Sequence, residues 1–192
     1  AKARARRGHR LVFFERDVPW YADTRDLWEI PGGELILYPA WAEVRARAVL
    51  ELADADVAMV TSYCPDGPAA SATVLGSRVP CRTFYDLDTP VTLARLEAGE
   101  PVDYLPADGL GGFDLTLSYT GGPALDALRA RLGARRTVPL YGHVDPETHR
   151  PVPPIERFRA DLSYLGTYAA DRQAALEALF VEPAKVCPER RF

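Results

Sequence analysis

Two carboxylates, Asp86 and Asp88, stand two positions apart just after the strand candidate Arg82–Tyr85. Asp86 stands at the end of the strand candidate and Asp88 in the turn beyond it, so one can face a cleft while the other anchors the loop. An ionised aspartate at such a place can act as a general base toward a hydroxyl. The alternative is structural: Asp88 or Thr89 can cap a helix that begins at Thr89-Pro90. Thr120-Gly121-Gly122 at another helix start offers amides to an anion, or makes a tight turn that needs glycine. Gly166-Thr167, at a third strand-to-helix turn, would let amides approach a diphosphate. His143 and His149 flank Asp145 and Glu147, but the Pro-rich loop imposes no metal geometry, so no metal is expected. His143 is instead a candidate hydrogen bonder in a cleft.

These residues are informative only if elements place them at the carboxyl ends of parallel strands, where open sheets bind ligands. The pattern predicts that arrangement. A helix over the first seven residues closes at Gly8. Strands follow at Leu11–Phe14, Glu34–Tyr38, Asp56–Ser62, Arg82–Tyr85, Phe113–Tyr119 and Arg136–Tyr141. Between them lie helices at Trp41–Leu52, with Trp41, Val44, Ala48 and Leu52 on one face, and at Pro68–Ser77, Thr89–Ala98 and 123–132. Thr89 can be the N-cap of the helix at Thr89–Ala98, with Asp88 the other candidate. The alternation predicts a Rossmann-like parallel sheet with helices on both faces. Four prolines between Gly142 and Pro154 predict a linker over 142–160. Beyond it a strand at Asp161–Leu165 and a helix at Asp171–Phe180, striped by Leu176, Leu179 and Phe180, predict the start of a second domain over 161–192. The first domain covers 1–141.

Bulk properties narrow the function classes. The 192 residues carry a net charge of −4 and 47% hydrophobic residues, which suits one ordinary core and disfavours a nucleic-acid partner. The basic group Lys2, Arg4, Arg6, Arg7 and Arg10 reads as the solvated end of a helix. No apolar run reaches the ~20 residues of a membrane span, so a cytoplasmic location is expected. Cys64, Cys81 and Cys187 form neither a zinc signature nor a disulfide framework. A dinucleotide-type G-x-G-x-x-G after the first strand, a P-loop and a G-x-S-x-G elbow are all missing. Trp20, Tyr21 and Trp28 either stack on sugars or form partly buried cover for the sheet.

Longer segments carry a family resemblance. Phe84-Tyr85-Asp86-Leu87-Asp88-Thr89-Pro90-Val91-Thr92-Leu93 resembles the FYDxDTPVTL segment of the spore-maturation, CgeB-type glycosyltransferase-like proteins. Leu117–Pro123, Leu140–Pro146 and Asp161–Tyr168 followed by Asp171-Arg172-Gln173 also resemble that family. Gly142-His143-Val144-Asp145 with Pro151 is similar to the NGVD…FxP junction of other GT-B transferases, with His143 interrupting the pattern. The resemblance implies a GT-B fold, an acceptor-side first domain and a nucleotide-sugar-binding second domain. It implies transfer of a sugar from a nucleotide diphosphate-sugar, the co-substrate, to a glycan or other hydroxyl acceptor of a spore or cell surface, with no further cofactor. It places Gly166 and Thr167 near the donor diphosphate; within that reading Asp88 and then His143 are the acceptor-side candidates, and Asp86, Thr89, Thr120, Gly121 and Gly122 stand in the loops at the strand ends. Against that family the segment is expected to be truncated at both ends, without its first strand and most of the donor domain, and inactive alone. The alternative is a non-catalytic glycan- or protein-binding module.

Overall fold

The computed structural model describes residues 2–23, 25 and 28–192, with Lys2, Ala5, Trp20 and Tyr21 described in the backbone alone. The chain divides into two compact units, Ala1–His143 and Val144–Phe192.

The first unit is α/β with only parallel pairing. Its helices are α1 (Lys2–Ala5), α2 (Pro19–Ala22), α3 (Trp41–Ala53), α4 (Gly67–Leu75), α5 (Thr89–Glu97) and α6 (Pro123–Leu132). Its strands are β1 (Leu11–Arg16), β2 (Gly33–Tyr38), β3 (Val57–Thr61), β4 (Cys81–Asp86), β5 (Leu115–Ser118) and β6 (Thr137–Pro139). They form two sheets: β1 beside β2, and β3-β4-β5-β6 in that order. Register places Val60 opposite Phe84 and Phe84 opposite Thr116. One face of the larger sheet therefore carries Ala58, Val60, Phe84 and Thr116; the other carries Val57, Met59, Thr83 and Leu115.

The first of those faces holds the core. Phe84, Phe113, Leu110 and Leu128 are fully buried and join Val74, Ala70 and Leu132 in one cluster. The rings of Phe84 and Phe113 lie 5.6 Å apart, tilted by 56°. Helices α4 and α6 supply Ala70, Val74, Leu128 and Leu132 to this face, and α3 adds Trp41 and Leu52. On α3 the expected stripe is realised, with Val44 and Ala48 buried. Helix α6 stops at Gly133, whose φ of 68° lets the last carbonyls be capped. The single turns α1 and α2 leave α3–α6 as the full-length helices of the unit.

At the start of the larger sheet Arg82 grips Asp114 through Nε and Nη2 at 2.9 Å each, and its own amide adds a third bond. The guanidinium and amide hold the Asp114 carboxyl down at about 2. An unfolded aspartate titrates near 3.9, so the unfolded chain takes up this proton first as pH falls. The resulting stability is present above about 3.9 and is lost toward about 2. We expect Asp114→Asn to lower stability at neutral pH and to flatten the acid limb over that window. Urea denaturation from pH 6 to pH 2 measures both; an unchanged acid slope rejects the assignment.

Several expectations need correction. Residues 161–165 form no strand. A strand needs a ladder partner, and the described residues of the second unit contain none; instead the Asp161 and Leu162 amides donate to the Arg191 carbonyl. The helix there runs longer than expected, as a 3₁₀ turn at Ala170–Arg172, α7 (Gln173–Leu176), a π segment at Glu177–Val181 and α8 (Glu182–Val186). Pro183 gives the physical reason for the π widening, since it lacks the amide for an i→i−4 bond and crowds that carbonyl. Leu176 and Phe180 are half-buried, Phe180 against Tyr164 and Phe192, whereas Leu179 faces solvent. The last strand shortens to Thr137–Pro139. Of the two N-cap candidates, Asp88 holds that position, and Thr89 is the first residue of α5. Among the described residues no helix is long and apolar enough to cross a membrane.

Candidate functional site

The carboxyl ends of β3, β4 and β5 meet in a floor of buried polar side chains. Ser62, Asp86, Thr89, Thr92 and Ser118 are each essentially solvent-free. Their burial is offset by mutual hydrogen bonds. The Thr92 hydroxyl donates to Asp86 Oδ1 at 3.0 Å, and the Tyr104 hydroxyl lies 2.8 Å from the Thr92 oxygen. The Asp88 amide also donates to Asp86 Oδ1, at 3.2 Å. Ser62 Oγ accepts from the Leu87 amide at 2.8 Å. Thr89 Oγ1 lies 2.7 Å from Ser118 Oγ, which donates to the Thr120 carbonyl at 2.6 Å. Three βα turns are thus tied to one another beneath the surface.

Asp86 and Asp88 have separate positions. Asp86 is fully enclosed, and its Oδ2 has no hydrogen-bond partner among the described residues. Burial pushes its carboxyl up from the usual range, against the Thr92 hydroxyl and the Asp88 amide, which pull it down. It anchors the loop. Asp88 is half-buried, and no cap bond from its side chain to the α5 amides forms. Its Oδ2 instead lies 3.5 Å from the Tyr63 hydroxyl. The carboxylate therefore stays available at the rim of the floor.

Tyr63 was not among the candidate site residues of the sequence. It occupies the turn after β3 with φ of 61°, the left-handed region, which L residues with side chains seldom adopt. Such a conformation costs on the order of 1–3 kcal/mol and persists where its surroundings enforce it. Here the ring packs on Tyr104 at 5.1 Å while its hydroxyl reaches Asp88. Burial and the Asp88 charge both push its phenol up, keeping it a neutral donor at neutral pH. A positive φ at tyrosine has no sequence signal, so only the fold could have revealed it.

The other candidates divide. Thr120 is tied to Ser118 through its own backbone. Gly122 has φ of 65° and sits at the N-cap of α6 with open space around its α-carbon. At Gly121 the Tyr141 hydroxyl approaches closely, and a Cβ there would push that exposed side chain aside. At Gly142 a Cβ would displace the exposed Tyr119 ring in the same way. Tyr63, Tyr119 and Tyr141 are all exposed beyond the strand ends. His143 is exposed at the end of the first unit. Gly166 and Thr167 belong to the second unit, in an exposed stretch, where Gly166 lines a cavity of about 150 Å³ with Tyr164, Tyr168 and Arg172. Trp28 is exposed with Arg25 over its ring at 5.0 Å, not sheet cover. The side chains of Trp20 and Tyr21 lie outside the described residues. Among the described residues no three His, Cys, Asp or Glu side chains converge as a metal-binding group.

Fold and site define a parallel, Rossmann-like α/β protein with a carboxylate and aromatic rim at the carboxyl ends of its strands. Comparison with protein-family models, with curated proteins and with solved structures found no match to the chain.

Proposed function

We propose that this chain is the acceptor-side part of a GT-B glycosyltransferase, which moves a sugar from a nucleotide diphosphate-sugar to a hydroxyl acceptor in the cytoplasm. The observation that carries the reading is Asp88: it holds the N-cap position of α5 without using its side chain as a cap, and its carboxylate lies against the Tyr63 hydroxyl. In this reading Asp88 accepts the acceptor hydroxyl's proton as that oxygen attacks the anomeric carbon. Tyr63 positions the carboxylate, and the exposed faces of Tyr63, Tyr119 and Tyr141 stack on sugar rings. The donor diphosphate would be met by Gly166-Thr167 and by residues completing the second domain. His143 is the second acceptor-side candidate. The resemblance of Phe84–Leu93 to the CgeB-type segment supports the same assignment, and with it a spore or cell-surface acceptor.

The same tyrosines favour a second reading, a glycan-binding module without turnover. Thermal shift of the native-length protein against UDP, GDP, ADP and TDP separates the two. A binding nucleotide at 100 times its dissociation constant adds about 2.7 kcal/mol of stability. We expect a shift with one nucleotide class. No shift with any nucleotide, but a shift with oligosaccharides, leaves the binding module.

A further inference from the structure

The hydrogen bonding of Asp86 is lopsided. Its Oδ1 accepts from two donors, the Thr92 hydroxyl at 3.0 Å and the Asp88 amide at 3.2 Å. Its Oδ2 is closed off from solvent and has no donor among the described residues. An ionised carboxylate is acceptor-only at both oxygens, so burial calls for donors at both. A neutral carboxylic acid is asymmetric: the carbonyl oxygen accepts, and the other oxygen carries a proton to donate. Two bonds to Oδ1 and none to Oδ2 match the neutral acid.

Charge balance points the same way. The side chain has no exposed surface. The titratable groups that face it are Asp88 in its own turn, Tyr104 from the segment after α5 and Tyr63 from the turn after β3. None of these is a cation. A buried carboxylate without a counter-charge takes up a proton in preference to bearing the desolvation, and burial pushes this carboxyl up accordingly. The floor also holds a place for the proton. Ser118 gives its single hydrogen to the Thr120 carbonyl, so the 2.7 Å bond between Thr89 and Ser118 takes its hydrogen from Thr89. The Thr89 oxygen, a neighbour of the Asp86 carboxyl, is left as an acceptor.

We propose that Asp86 is held as the neutral acid in the folded protein at pH 7, with its proton on Oδ2, and that in this form it is a positioning residue for Asp88. Its carbonyl oxygen fixes the Asp88 amide. Through Thr92 it also supports Tyr104, the ring on which Tyr63 packs, and the Tyr63 hydroxyl returns to Asp88. The contacts close a ring that sets both the backbone and the side chain of Asp88. A neutral Asp86 leaves the negative charge of the pair on Asp88. Two carboxyl groups separated in this way divide into one that keeps its proton and one that can accept one. The use of Asp88 as a base rests on the proposed function; the protonation of Asp86 does not.

Infrared spectroscopy of the unliganded protein at pH 7 tests this. We expect the C=O band of a protonated carboxyl, above the amide band, and its loss in Asp86→Asn. Asparagine reproduces the neutral acid, with a carbonyl in place of Oδ1 and an N–H donor in place of the Oδ2 hydroxyl. The variant should therefore fold, with a denaturation midpoint at pH 7 no lower than that of the wild type. Its Asp88 amide should keep its protection against hydrogen exchange, whereas Asp86→Leu, which removes both oxygens at similar size, should lose it. A carboxyl that holds its proton more tightly when folded contributes stability below about 3.9, the unfolded value, and loses it as pH rises toward the folded value. Asparagine lacks this dependence, so the wild-type midpoint should fall relative to that of Asp86→Asn over that range. Absence of the band overturns the proposal and makes Oδ2 an ionised oxygen served by a bound water. An asparagine variant that fails to fold, or an Asp88 amide still protected in Asp86→Leu, overturns it as well. None of these measurements involves a sugar or a nucleotide. If they succeed and the native-length protein transfers no sugar, the transferase reading fails alone.

Discussion

Asp88→Asn in the native-length protein is expected to lower turnover by about 10²-fold or more, the range a positioned general base contributes. Asparagine keeps the size of the side chain and is itself a good N-cap residue, so α5 retains its start. It cannot accept a proton. Because the Asp88 side chain makes no cap bond, the stability cost should stay within about 0.5 kcal/mol, as for most substitutions outside cores and caps. Single-turnover rates and urea denaturation of the same sample separate the roles. If the folded fraction falls while the folded molecules transfer sugar at the normal rate, Asp88 is a structural residue of the turn. Tyr63→Phe is the companion: it removes the hydroxyl 3.5 Å from Asp88 and keeps the ring on Tyr104.

Phe84→Ala is expected to cost about 3–5 kcal/mol, the range for truncating a buried phenylalanine. Phe84 has no exposed surface and packs against Phe113 at the centre of the cluster. Flanking strands and the helices above hold the walls of the resulting cavity apart, so collapse cannot recover much of the loss. Domains are typically stable by about 5–15 kcal/mol, so the variant would be close to unfolding. Leu165→Ala, at a fully exposed side chain in the second unit, is the control and should change stability by less than about 0.5 kcal/mol. Denaturation midpoints measure both. A loss below about 1 kcal/mol at Phe84 would mean that the core lies elsewhere.

Local patterns made most of the first unit legible. Apolar runs bounded by charge marked β1 to β5, and three- and four-residue spacing marked α3 with its buried Val44 and Ala48. Gly133 and Gly8 marked helix ends because a positive φ favours glycine. Asp161–Leu165 has the same apolar content but forms no strand. Strand formation depends on a neighbour as well as on the run itself, and the described residues of that unit supply none. The opposite case is the helix that continues past Phe180 through Pro183, where a proline should have ended it. Widening to a π turn removed the conflict.

The site divides along the same line. Sequence by itself determined which residues would stand at the carboxyl ends of the strands: Asp86, Asp88, Thr89, Thr120 and the glycines. It did so because a βα alternation puts every such loop at one end of a parallel sheet. It also determined that Asp86 and Asp88 must face different surroundings, since neighbours two apart straddle the end of a strand and the turn beyond it. Tertiary structure alone decided which of the two is enclosed, because that depends on Thr92 and Tyr104 arriving from other elements. It alone turned Thr89 inward to Ser118, set Tyr63 in a left-handed conformation beside Asp88, and kept β1 and β2 in a sheet separate from β3–β6. Local spacing encodes periodicity and turn chemistry. Enclosure, strain and strand pairing depend on what packs from a distance along the chain.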